Sequence, residues 1–314
     1  MSHAAFMRAI HAAAKFDHVT RLVYADWLEE NGDPQRAEFI RVQCADDQIR
    51  RSVEDPPLTD AEEAAQRSLL NGFVERAQIL LKNNWEPLVG PVRRFVGSYA
   101  DRVGEEWLLG GYQPDGWFHF RRGFVEELNL TAGTLLEHAD ELFRTAPLRH
   151  LKLWRAGADV AAVAQLPHLA GVYELEFSDP WGELVRAEGM AALAASPHPG
   201  RLRSLNLARN DIADGGAVAL AGAAWLAGLD TLNLRENGIG DAGVEALAAS
   251  AGVSGLDTLD LGRNGITDRG LQALANSPYL TNLTFLHLEH NALTPASHGI
   301  LAASPSLSRT VVFT

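Results

Sequence analysis

The chain has 314 residues, 46% of them apolar, which is enough for one large or two medium domains with a buried core. A net charge of −13 disfavours nucleic acid and anionic membrane surfaces as default partners, and no apolar run reaches the ~20 residues that span a bilayer. Cys44 is the single cysteine, so no intrachain disulfide forms, and Met1 to Phe6 lacks the basic start of a signal peptide; the expected location is the cytoplasm.

Residues 1–45 read as a helical hairpin. Thr20 to Glu30 has helical apolar spacing, with Leu22, Val23, Trp27 and Leu28 available for one face. Asn31-Gly32 stops that helix, and Asp33-Pro34 starts the next as an N-cap followed by a first-turn proline. The second helix runs through Ala37, Phe39, Ile40 and Val42. Cys44 continues its apolar pattern and reads as a buried, inert thiol. Asp26, Glu29 and Glu30 read as a solvated helix face and not as catalytic acids. The stretches Arg21–Pro34 and Ala37–Cys44 resemble the repeat-companion domain found in front of repeat arrays in planctomycete paralogues. That resemblance assigns no activity.

Ser52 to Asp60 reads as a loop, and a helix is predicted from about Ala61 to Leu81. Residues 85–123 are rich in aromatics: Trp85, Phe95, Tyr99, Trp107, Tyr112, Trp117, Phe118 and Phe120. They are expected to cap the open edge of the sheet that follows, because an exposed edge and core invite aggregation. The expected division is a helical and capping region over 1–123 and a repeat array over 124–314.

Four later segments superimpose at a spacing of 27 residues. They begin at Leu202, Leu229, Leu256 and Leu283, and each reads Leu-x-x-Leu-x-Leu-x-x-Asn-x-Ile/Leu. A fixed period of this length means stacked units sharing one core. Leu205 and Leu207 alternate with Asn206, the period of a half-buried strand. Asp214, Asp241 and Asp268 are expected as helix N-caps, with Pro295 in the first turn of the fourth helix. Gly216, Gly243 and Gly270 form a column where helix and strand approach closely, and Asn210, Asn237, Asn264 and Asn291 read as structural, each amide serving backbone groups that leave the strand. Upstream the pattern persists at spacings of 23, 24 and 30 residues through Val125, Leu148 and Val172. Thr310 to Phe313 supplies a last strand, giving seven units and a final strand.

These repeats resemble the ribonuclease-inhibitor type of leucine-rich repeat. The resemblance implies an α/β solenoid, with a parallel sheet on the concave face and helices on the convex face. It also implies a role in binding and not in catalysis. The sequence agrees: it has no phosphate loop, no nucleophile elbow and no paired-cysteine motif, so no catalytic residue and no cofactor are assigned.

Candidate partner-binding residues are Arg209, Asn233, Arg235, Glu236, Asp260, Arg263, Phe285, His287 and Glu289. Their mixed charge and one aromatic suit a protein or peptide. His287, Glu289, His290 and Asp260 carry metal-ligand chemistry, but a polar column is common to all such repeats and no metal site is assigned. Within the resemblance, an inhibitor of the ribonuclease-inhibitor kind or a GTPase-activating regulator using Arg209, Arg235 and Arg263 is the alternative. A monomer, or a weak homodimer through the edge strand Val311–Phe313, is expected.

Overall fold

A computed structural model describes residues 2–13, 17–51, 60–83, 118–121, 123–178 and 182–314. The chain forms two compact units: residues 1–130 with 140–149, and residues 131–139 with 150–314. Residues 52–59 of the expected loop and the aromatic residues Trp85, Phe95, Tyr99, Trp107, Tyr112 and Trp117 lie outside the described residues, and Asp60, the last residue of that expected loop, begins a helix.

Among the described residues, the first unit includes the helices α1 (His3–Ala12), α2 (Val19–Glu30), α3 (Pro34–Arg51) and α4 (Asp60–Asn83), and an antiparallel ribbon of β1 (Phe118–Arg121) and β2 (Phe124–Thr131). The expected hairpin is α2 and α3, and α1 adds a third element against them. Phe6, Met7, Ile10, Tyr24, Ala25, Leu28, Ile40, Cys44 and Phe124 form one core. The inward face of α2 is therefore Arg21, Tyr24, Ala25 and Leu28, whereas Val23 is exposed. Of the expected apolar face, Leu28 lies in this core and Leu22 and Trp27 pack against it partly buried, so only Val23 departs, and the charged Arg21 joins the buried positions. Arg21 is fully buried and its Nη2 donates to Glu126 Oε1 at 2.7 Å. Arg149 Nη2 donates to Ile10 O and Ala13 O, both at 2.9 Å, closing the end of α1. On the outer face, Arg41 pairs with Asp26 and Glu29 at 2.7 and 2.6 Å. Gly123 turns the ribbon at φ +83°, and a Cβ there would lie 2.3 Å from Ile40 Cγ1, so only glycine lets the ribbon meet α3.

The second unit contains a parallel sheet of seven short strands: β3 (His150–Trp154), β4 (Glu174–Phe177), β5 (Ser204–Asn206), β6 (Thr231–Asn233), β7 (Thr258–Asp260), β8 (Phe285–His287) and β9 (Val311–Phe313). The register is constant: Leu151, Leu175, Leu205, Leu232, Leu259, Leu286 and Val312 stand in one row. The five strand leucines from Leu175 to Leu286, with Leu151, point into the core, and each buried leucine contributes about 1.5–3 kcal/mol. Behind the regular strands stand α5 (Ala213–Ala221), α6 (Asp241–Ala248), α7 (Asp268–Ala275) and α8 (Ser297–Ala302). Between α5, α6 and α7 and the strand that follows each lies a 3₁₀ turn, at Ala224–Gly228, Ala251–Gly255 and Leu280–Asn282.

Three polar ladders run across the stack. Asn237 Oδ1 accepts from the N–H groups of Asn210 and Ile212 at 3.0 and 3.4 Å, and its Nδ2 donates to Leu207 O at 2.8 Å. Asn264 and Asn291 repeat this one and two units on. The asparagines thus do the structural work their position implied. The aspartates depart from expectation. Asp214 Oδ1 accepts from Gly240 N and Gly243 N at 2.7 and 3.0 Å, in the following unit. Asp241 accepts from Thr267 and Gly270 in the same way, and Asp268 from Thr294. Asp214 and Asp241 thus cap the neighbouring unit's helix and not their own, and Asp268 holds the turn that leads into α8. The glycine column makes room for this: a Cβ at Gly243 would lie 2.7 Å from Asp214 Oδ1, and one at Gly270 2.6 Å from Asp241 Oδ1. Pro295 stands in a turn just before α8, which starts at Ser297. The third ladder, unforeseen, is serine: Ser250, Ser277 and Ser304 donate to Ala221, Ala248 and Ala275 carbonyls at 2.6, 2.6 and 2.7 Å.

Candidate functional site

Strand alternation sends every second side chain away from the core, onto the concave face. In-register pairing stacks these into columns: Ser204, Thr231, Thr258, Phe285 and Val311, then Asn206, Asn233, Asp260, His287 and Phe313. Two residues further on, Ala208, Arg235, Gly262 and Glu289 extend the second column beyond the strands. Asn206, Asn233 and Asp260 turn back to accept from the N–H groups of Ala208, Arg235 and Gly262 at 3.0, 3.0 and 2.8 Å. These short side-chain to backbone bonds bend the chain out of the sheet.

Four of the candidate residues meet. Arg235 Nη1 lies 3.7 Å from Asp260 Oδ1 and 3.7 Å from Glu289 Oε2. Glu289 Oε1 lies 3.3 Å from His287 Nδ1, and the His287 ring stacks on Phe313 with centroids 4.5 Å apart and planes 6° from parallel. The guanidinium occupies the space above Gly262, where a Cβ would come within 2.4 Å of Nη1. Burial pushes the Glu289 carboxyl up, but its own backbone N–H, His287 and Arg235 together hold it below the usual carboxylate range. Phe285 stands beside this group, partly exposed.

The other candidates stand apart from that cluster. Arg209, Glu236 and Arg263, with His290, occupy one column at φ 61°, 57°, 55° and 61°, left-handed backbone that turns the chain just before each ladder asparagine. Arg209 Nε pairs with Glu236 Oε2 at 3.0 Å in an exposed contact. Arg263 is exposed, and its guanidinium has no ion-pair partner among the described residues. Asn233 lies beside Asp260 in the concave column.

Sequence reasoning left out part of this face. His150 Nδ1 lies 2.7 Å from Glu174 Oε2, and Lys152 Nζ lies 2.6 Å from Glu176 Oε1, both pairs bridging β3 and β4. Their alternation with Leu151, Leu153, Leu175 and Phe177 was the signal. Phe313 was read only as part of an edge, although its position one residue beyond Val312 places it in the His287 column. Among the described residues, no group of three His, Cys, Asp or Glu side chains is arranged to hold a metal ion. No helix of the described residues is long and apolar enough to cross a membrane.

Short parallel strands in register, helices behind them and an asparagine ladder between them define the class: residues 202–275 are leucine-rich repeats. Residues 202–221, 229–248 and 256–275 match the family model described as Leucine Rich repeat. No curated protein matches the chain. Among solved structures, an internalin from Listeria monocytogenes str. 4b F2365 is similar over 55% of this chain and 49% of its own, at 19% identity and a TM-score of 0.33. The chain spans about half the length of that protein.

Proposed function

We propose that this chain is a non-catalytic interaction module that binds a protein or peptide partner on the concave face of its C-terminal repeats. One observation carries the reading: Arg235, Asp260, His287 and Glu289, from three different units, converge beside the exposed Phe285. The strands hold these side chains in place before any partner arrives, so binding costs little ordering entropy. The resemblance to the ribonuclease-inhibitor type and the helical companion module over the first 45 residues belong to the same reading, as does a reducing, cytoplasmic setting for the buried Cys44 thiol. Weak self-association through β9 is a further part of it, checked by sedimentation at rising concentration.

The test is capture of partners from the source cell with the intact protein and with an Arg235→Ala, Phe285→Ala, His287→Ala variant. A partner lost only from the variant supports the reading. A partner retained by both moves the site off the concave face. Regulation of a partner enzyme through Arg209, Arg235 and Arg263 is the alternative. Two of these arginines already face carboxylates, which leaves Arg263 as the one to test in a GTP-turnover assay with candidate GTPases.

A further inference from the structure

The concave face changes character at its last two strands. At the Phe285 level the preceding strands carry Ser204, Thr231 and Thr258, and at the Phe313 level they carry Asn206, Asn233 and Asp260. On β8 and β9 these become Phe285, Val311 and Phe313, which stay 39%, 48% and 40% exposed. Phe285 pairs with Val311 and His287 with Phe313, so the three apolar groups and the stacked imidazole form one shelf. A polar surface that becomes apolar over one contiguous patch marks a place where a partner buries area.

The charge beside the shelf is lopsided. Arg235 sits 3.7 Å from both Asp260 and Glu289, beyond hydrogen-bond reach, so neither carboxylate is saturated by it. Glu289 Oε2 is screened from water and accepts no hydrogen bond among the described residues. Asp230 and Asp257 stand exposed at the starts of β6 and β7. Arg209 and Glu236 neutralise one another. Arg203, Arg235 and Arg263 then stand on this face with Asp230, Asp257, Asp260 and Glu289, three positive charges against four negative ones, leaving an excess of one negative charge. A cationic group gains from this field, and the Glu289 side chain, 30% exposed, offers it a carboxylate.

We infer that the partner segment is an extended basic and apolar peptide: an aromatic or aliphatic side chain lies on the Phe285–Val311–Phe313 shelf, and a lysine or arginine nearby donates to Glu289. This rests on the concave-face reading and adds to it the chemistry of the partner. Residues two apart in an extended peptide share a face, so the basic and apolar residues are expected at that spacing or a multiple of it.

The probe is a random decapeptide library displayed on phage and panned on the full chain. Enriched peptides are then synthesised and titrated by fluorescence anisotropy. Expected are sequences pairing Lys or Arg with Phe, Trp or Leu, and binding about tenfold weaker to Glu289→Gln, the loss of one charge-assisted hydrogen bond. Phe313→Ser weakens binding similarly, whereas Lys152→Ala, at the other end of the face, leaves it unchanged. Glu289 is partly exposed, so Glu289→Gln keeps the fold and the test stands even where Phe313→Ser perturbs β9. Enrichment of acidic peptides, or no enrichment, overturns the inference. Peptides weakened by Lys152→Ala but not by Glu289→Gln overturn it while the concave-face reading survives. Binding indifferent to every concave variant overturns both. Concentration-dependent dimerisation abolished by Phe313→Ser assigns the shelf to a second copy and also overturns it.

Discussion

Replacing Asn237 by alanine removes four interactions at once. The Oδ1 atom accepts from the backbone N–H groups of Asn210 at 3.0 Å and Ile212 at 3.4 Å, and Nδ2 donates to the carbonyls of Leu207 at 2.8 Å and Arg235 at 3.2 Å. Asn210, Leu207 and Ile212 are at most 1% exposed, so water does not reach them without distortion. Each buried N–H left without a partner costs about 1–3 kcal/mol, and the carbonyls, with two lone pairs each, cost less. The 3.4 Å contact is the weaker of the two, so the expected loss is about 3 kcal/mol in all. Urea unfolding of the full chain, followed by circular dichroism, measures it. Because Asn237 links two neighbouring units, the denaturant dependence should also become shallower as the array stops unfolding as one block. A loss below about 1 kcal/mol would refute the argument, since it would mean that relaxation or entering water replaces the amide at no cost.

Glu126→Gln leaves the buried Arg21 guanidinium facing a neutral amide, and an unpaired buried charge should cost about 3–5 kcal/mol, read from thermal unfolding; a shift within error would show that the pair is dispensable. Asp241 offers a test in pH. Burial pushes its carboxyl up, but the hydroxyl and N–H of Thr267, the N–H of Gly270 and the charge of Arg269 hold it below the usual range. A depressed folded value gives stability that is present above the ordinary carboxylate value of about 3.9 and lost as pH falls through the folded value. The difference in thermal midpoint between the native protein and Asp241→Asn should therefore be largest near neutrality and shrink below about pH 4; a constant difference would mean that the helix cap depends on shape and not on charge. Arg263→Gly removes a side chain from backbone at φ 55° and should raise stability by up to about 1 kcal/mol in chemical denaturation. Lower stability in that variant would mean that the arginine makes contacts that outweigh its backbone strain.

The family match concerns residues 202–221, 229–248 and 256–275, whereas the assignment of a partner rests on the concave columns alone. Those columns were legible in advance where the repeat is regular, because alternation about a leucine row fixes which side chains leave the core. Arg235, Asp260, His287 and Glu289 followed from that rule. The use of Gly262 as the seat of the Arg235 guanidinium depends on a distance between units. Arg209, Glu236 and Arg263 were read as part of the same columns, but they stand in a left-handed turn, a backbone state that no side-chain pattern encodes when the residue is not glycine.

By itself the sequence determined the period, the strand row, the asparagine ladder and the helices behind it, because each depends on the chemistry of one residue type recurring at one spacing. It did not determine where the aspartate carboxylates point, that Arg21 faces Glu126 across 105 positions of sequence, or that β8 and β9 share an apolar shelf beside an unsaturated carboxylate. Those are relations between units or between distant segments. Their energies depend on the distance between groups that only stacking brings together, and a one-dimensional pattern holds no record of that distance.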